Sequence, residues 1–137
     1  MELKINGLQH IGIPVTNLKQ SESFYEGLGF ENVMTSHFVI NNEKGFVSMM
    51  KKDSLIIEIY QMPPAELNEV KNRKDGKIDH IAFDVDDIDF TYNTLIEQGY
   101  TVLEEAPVFL NFWTKGCKYF NILGPDGERL EFNQILK

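Results

Sequence analysis

Between His10 and Val15, "HIGIPV", Ile11, Ile13 and Val15 alternate with His10, Gly12 and Pro14, the period-two pattern of a strand with one buried face. The period then changes. Leu18, Ser21, Tyr25 and Leu28 recur at steps of three and four, which predicts a helix with Thr16 or Asn17 as its N-cap. Gly29 ends it, since glycine takes the left-handed conformation at least cost, and Phe30 opens the next strand. Strands are expected at 30–35, 45–51 and Leu55–Gln61.

The same order returns seventy residues later. "HIGIPVTNL" from His10 matches "HIAFDVDDI" from His80 in its His, Ile, Val and final aliphatic positions. The second helix carries Ile88, Thr91 or Tyr92, and Leu95 on one face, follows Asp86 or Asp87, and stops at Gly99 before Tyr100. Strands are expected at 100–104, 118–123 and 129–134, with "GPDG" at 124–127 as a tight turn. Between the copies, "MPPAELNEVKNRKDGK" reads as a linker with one helical turn at 65–70. The expected architecture is α+β: one domain over 1–137, built from two tandem βαβββ modules (6–61 and 78–135) around a linker at 62–77.

One residue conflicts with its surroundings. In "SLIIEIY", 54–60, a glutamate sits among strand-forming apolar residues, where an unpartnered buried charge would cost several kcal/mol. The repeat supplies an explanation. At an offset of seventy-three Glu58 falls on Glu131, and "IIEI" and "RLEF" share a carboxylate with apolar neighbours. Strand alternation sends Ile57, Ile59, Leu130 and Phe132 to one face and the two glutamates to the other. It likewise sets His10 against Ile11 and Ile13, and His80 against Ile81 and Phe83. Each module therefore presents one His and one Glu away from its helix. Two modules facing each other, within a chain or across a dimer, would join His10, Glu58, His80 and Glu131 into a set suited to a divalent metal. Taken singly, each residue reads as structural or solvated; the matched placement of all four carries the reading.

Composition narrows the partners. A net charge of −8 over 137 residues argues against nucleic acid and anionic membrane. Cys117 is the only cysteine, so no internal disulfide can form and a reducing, cytoplasmic setting is expected. No apolar run has the length of a signal peptide core or membrane span. A small-molecule ligand and a homodimer are expected.

The chain resembles the vicinal oxygen chelate superfamily, the glyoxalase, bleomycin-resistance and extradiol-dioxygenase group. The resemblance runs from "LQHIGIPVTNLKQSESFYEGLGF" through "KIDHIAFDVDDI" to "GPDGERLEFNQ". It implies paired modules curving eight strands around a metal-site cleft. The set His10, Glu58, His80 and Glu131 is most similar to the glyoxalase I branch, which implies a lyase or isomerase acting through a metal-chelated enediolate on a 2-oxoaldehyde–thiol adduct. Nickel or zinc heads the implied metals, with cobalt, iron or manganese behind. By the same resemblance Glu131 is the principal base and Glu58 its counterpart. Alternatives are an epimerase of the methylmalonyl-CoA type and a non-catalytic sequestering protein of the bleomycin-resistance kind. Two departures bear on the thiol. Pro14 and Met62 stand where glutathione-dependent members usually carry Arg and Asn, and neither replaces those hydrogen-bonding groups.

Tyr60, Trp113 and Arg129 are candidate pocket walls, Arg129 either for a substrate carboxylate or as an ion-pair partner beside the metal. Phe109, Phe112 and Trp113 could form an aromatic lid or serve in the core or a dimer contact. Met49 and Met50 read as packing, His37 as structural or surface, and Cys117 has no catalytic role.

Overall fold

A computed structural model describes residues 2–74, 76–123 and 129–137. The chain divides into two compact units. The N-terminal unit is His10–Asp79, and the C-terminal unit is His80–Lys137 together with the leading segment Met1–Gln9.

Each unit is built on the βαβββ plan. Along the chain run β1 (Gly7–Pro14), α1 (Leu18–Gly27), β2 (Glu31–Ile40), β3 (Glu43–Lys52) and β4 (Leu55–Gln61), then α2 (Pro64–Asn72). They are followed by β5 (His80–Asp84), α3 (Ile88–Glu97), β6 (Val108–Leu110), β7 (Cys117–Leu123) and β8 (Arg129–Ile135). Within the units the strands are ordered β2-β3-β4-β1 and β5-β8-β7-β6. In the N-terminal unit β1 and β4 are parallel and the other pairs antiparallel; in the C-terminal unit β5 and β8 play the parallel role. No helix among the described residues is long and apolar enough to cross a membrane.

Both helices start by the same devices. Asn17 accepts from the Gln20 N–H, and Asp87 from the Phe90 N–H, each at 3.0 Å, which settles the choice of N-cap. The first helical N–H of each is taken by a glutamine three residues beyond a repeated glutamate: Leu18 donates to Gln61 Oε1 at 2.8 Å, Ile88 to Gln134 Oε1 at 2.9 Å. Three steps along a strand reverse the face, so each glutamine reaches the helix while its glutamate points away. Gly29 and Gly99 take positive φ, +98° and +84°, just past the helix ends.

Beneath the helices lie two cores. Leu18 packs with Met50, Ile57 and Ile59, flanked by Ile13, Val15, Tyr25 and Phe30. In the C-terminal unit Ile88 and Leu95 pack with Val85, Phe120, Ile122 and Phe132. The expected inward face of α1 needs one correction. Leu28 is the C-cap and stands 56% exposed, because the helix ends at Gly27 and the inward place goes to Glu22. Glu22 is tolerated there because Asn32 Nδ2 donates to it at 2.8 Å.

Three further expectations change. The linker carries a nine-residue helix, started by prolines that need no N–H partner, in place of a single turn. β2 runs on to Ile40 because Asn41 and Asn42 both take positive φ and close a two-residue hairpin. The strand expected at 100–104 is reduced to a single bridge, Val102 with Ile122. The next ladder bond is intercepted: Glu104 Oε1 accepts the Asn121 N–H at 2.6 Å, and pairing with β7 resumes only at β6. The turn expected at 124–127 lies outside the described residues.

An aromatic ring covers a glycine in the β2–β3 and β6–β7 pairs. A Cβ on Gly45 would strike the Phe38 ring, and one on Gly116 the Phe109 ring, each also meeting a backbone oxygen at 2.9 Å. Gly116 has φ +89° besides. Gly116→Ala should therefore lower the unfolding free energy by about 1–3 kcal/mol, read from urea denaturation. Gly27→Ala, in α1 with nothing near its Cβ, should raise it by about 0.5 kcal/mol. Equal effects from the two would refute this account of Gly116.

Candidate metal centre

In the N-terminal unit the parallel register of β1 and β4 sets Gly12 opposite Glu58. His10 lies two residues upstream of Gly12 and so shares its face. Glycine has no side chain to fill the space, and the His10 imidazole and Glu58 carboxylate approach diagonally, Nε2 to Oε1, at 3.7 Å. The His10 side chain is 1% exposed and that of Glu58 12%. On the other flank of Glu58 stands Met49 of β3, buried.

The C-terminal unit repeats this with alanine in place of glycine. Ala82 of β5 faces Glu131 of β8, and His80 lies two residues upstream. His80 Nε2 and Glu131 Oε1 are 3.3 Å apart, both side chains less than a tenth exposed. Here the carboxylate has visible support. Asn133 Nδ2 donates to Glu131 Oε2 at 2.9 Å, and Gln9 Nε2 donates to Asn133 Oδ1 at 3.1 Å. Gln9 also donates to the Asn133 carbonyl and to Asp84 Oδ1, each at 3.1 Å. This chain of amides fixes one oxygen of Glu131 and leaves the other toward His80.

The chemistry of these pairs suits a cation. A neutral imidazole offers one lone pair and an ionised carboxylate only lone pairs, so both residue types can serve as ligands to a cation. Imidazole and carboxylate are the ligands of borderline divalent metals, and each carboxylate offsets one charge of a dication. Each unit carries one such pair, His10 with Glu58 and His80 with Glu131.

The other candidates fall in different places. Tyr60, on the Glu58 side of β4, makes an edge-on ring contact with Phe38. Arg129 is exposed and in register with His80. Phe112 is buried, Phe109 is exposed over Gly116, and Trp113 is half-buried with φ +66°. His37 is exposed on β2 and Cys117 fully buried, its Sγ 3.9 Å from Asn133 Nδ2. Gln9, Asn121 and Glu104 escaped the sequence reading: alternation assigns Gln9 the face opposite His10, and nothing local marks the other two.

A family model for the glyoxalase/bleomycin resistance protein/dioxygenase superfamily matches residues 7–132. The chain belongs to that superfamily. One relative of this superfamily member is the uncharacterized protein YwbC of Bacillus subtilis (strain 168), 32% identical over 131 residues, covering 93% of this chain and 96% of YwbC. Among solved structures, it is similar to methylmalonyl-CoA epimerase from Mycobacterium tuberculosis, with a TM-score of 0.78, 19% identity, and coverage of 100% of this chain and 93% of that one. A Streptomyces coelicolor methylmalonyl-CoA epimerase variant in complex with 2-nitronate-propionyl-CoA has a TM-score of 0.76, at 20% identity over 98% of this chain and 100% of that one. At these identities the likeness to the epimerases is one of fold.

The amide chain behind Glu131 can be measured. Gln9→Leu and Asn133→Leu should each destabilise the protein, and the pair should show a coupling energy of about 1 kcal/mol in a double-mutant cycle from urea denaturation. Strictly additive losses would mean that the Gln9–Asn133 contact does not hold the residue in place.

Proposed function

We propose that this superfamily member is a metal-dependent lyase or isomerase of the glyoxalase I type, with His10, Glu58, His80 and Glu131 as metal ligands and a 2-oxoaldehyde–thiol adduct as substrate. The observation that carries the reading is the repetition of one buried His–Glu pair, in the same register, in both units. A single such pair would be an ordinary structural contact. A divalent metal, when bound, would polarise a substrate carbonyl and so acidify the neighbouring carbon.

The protein's part is to hold and move a proton. A carboxylate beside the acidified carbon accepts the proton and returns it to the adjacent carbon, while the hydroxyl proton passes to the neighbouring oxygen, which converts an oxoaldehyde adduct into a 2-hydroxyacyl thioester. Glu131 is the proposed shuttle and Glu58 its counterpart. The hydrogen bond from Asn133 supports that assignment, since it keeps one Glu131 oxygen in place while the other acts. Glutathione is not the proposed thiol, because Pro14 lacks a donor and Met62 lacks an amide. A second reading, epimerisation of a CoA ester, is favoured by the epimerase neighbours. It uses the same residues, with Glu131 taking the proton from one face of the carbon and Glu58 delivering one to the other.

Purified protein dialysed against Ni²⁺ or Zn²⁺ should retain one equivalent per chain by elemental analysis. Glu131→Gln keeps an oxygen ligand and should lose turnover by roughly 10²–10⁴ with a modest fall in metal content. His80→Ala should lose metal and turnover together, because a ligand disappears without replacement. Assays should pair methylglyoxal with coenzyme A, bacillithiol and glutathione, and run methylmalonyl-CoA in parallel. Undiminished turnover by Glu131→Gln would end the proton-shuttle assignment, and metal binding without turnover on any substrate would favour a sequestering protein.

A further inference from the structure

Asn121 lies directly opposite Glu131 in the β7–β8 register, so the two side chains share a face. Its amide is gripped from behind. Glu104 accepts from the Asn121 backbone N–H at 2.6 Å and from Nδ2 at 2.9 Å, one bond to each carboxylate oxygen. An ionised carboxylate can only accept, so the amide nitrogen must be the end turned to Glu104 and Oδ1 the end left over. That oxygen is buried and meets no hydrogen-bond donor among the described residues. Asn121 as a whole is 6% exposed.

Leaving a buried acceptor empty is costly, and the fold does not demand it. The corresponding place in the N-terminal unit, opposite Glu58, holds Met49, which has no strong acceptor to satisfy. The charge on Glu104 also polarises the amide, which strengthens Oδ1 as an acceptor.

We propose that Asn121 Oδ1 is a recognition point for a neutral hydrogen-bond donor on the ligand, the hydroxyl of a 2-hydroxyacyl compound, with Glu104 as the positioning residue that aims it. The inference rests on the reading of the Glu131 face as the reacting face. It adds a criterion of specificity: a hydroxyl is accepted at this point, while an ether oxygen or a carboxylate, both acceptors, is refused.

The test compares lactate with 2-methoxypropionate, which keeps the carboxylate and the 2-oxygen but has no hydroxyl proton. Binding is measured by titration calorimetry on the full chain, with and without Ni²⁺. The native protein should prefer lactate by about tenfold, the worth of one well-placed hydrogen bond. Asn121→Leu, close in size, should bring the two within about twofold. Glu104→Gln should do the same with Asn121 intact, because the introduced amide can donate and lets the Asn121 amide turn over. Both variants should keep the native melting profile within a few degrees and the native metal content. A preference unmoved by both substitutions overturns the proposal, as does failure of lactate to bind. Metal binding with an unmoved preference would sink this inference alone, and a preference lost in the variants of a protein that takes up no metal would sink the metal reading alone.

Discussion

A carboxylate buried on a strand must find compensation, and the fold is arranged around meeting that demand twice. Taking an ion out of water costs several kcal/mol after relaxation. Glu58 and Glu131 stand on the sheet faces opposite their cores, because alternation commits Ile57, Ile59 and Phe132 to the helix side. Moving either glutamate by one position would drive a charge into the packed aromatics and aliphatics beneath the helix. The histidines follow from the same geometry. With Gly12 or Ala82 directly across the parallel pair, the His two residues upstream brings its imidazole to 3.7 Å from Glu58 and 3.3 Å from Glu131. Small residues opposite the glutamates are therefore as much a part of the arrangement as the histidines.

The repeat is faithful in what holds it up and divergent in what surrounds the carboxylates. Gln61 and Gln134 hold the helix starts alike, and Val15 and Val85 donate to matching carbonyls, of Tyr60 and Asn133. On the carboxylate faces, however, Tyr60 and Met49 in one unit answer to Asn133 and Asn121 in the other. One glutamate sits among an aromatic ring and a thioether, the other among amides. Asn133 donates to Glu131, and Gln9 donates to Asn133 in turn.

Much of this was legible in the sequence. The period-two and period-3.6 patterns, the paired "HI" openings and the two glycine stops are local signals, and each reports a local physical requirement. Face assignment needed only alternation, so His10, Glu58, His80 and Glu131 could be singled out before any contact was known. What escaped detection depends on long-range partners. The inward turn of Glu22 needs Asn32, ten residues away and on a different element. Gln9 reaches Asn133 across 124 positions, a distance over which composition and periodicity carry no information. The proline-led linker hid a helix because its apolar residues are too few to show a period.

The strand expected at 100–104 illustrates why such a failure can be informative. By pattern the segment is a good strand, with Tyr100, Val102 and the flanking residues in alternation. Its first bonds form as a strand would make them, Leu123 donating to the Thr101 carbonyl and Leu103 to that of Asn121. The ladder stops where Glu104 puts its own side chain in place of a backbone acceptor. A residue that interrupts a favourable ladder forgoes pairing energy, and a local conflict of that kind is expected where another requirement has taken precedence. Glu104 also engages the Asn121 amide and, through its carbonyl, the Tyr92 hydroxyl on α3. The first of these lies across from Glu131; the second anchors the break to the helix. The interruption thus converts two residues of regular sheet into a rigid bracket that ends in an amide oxygen on the carboxylate face.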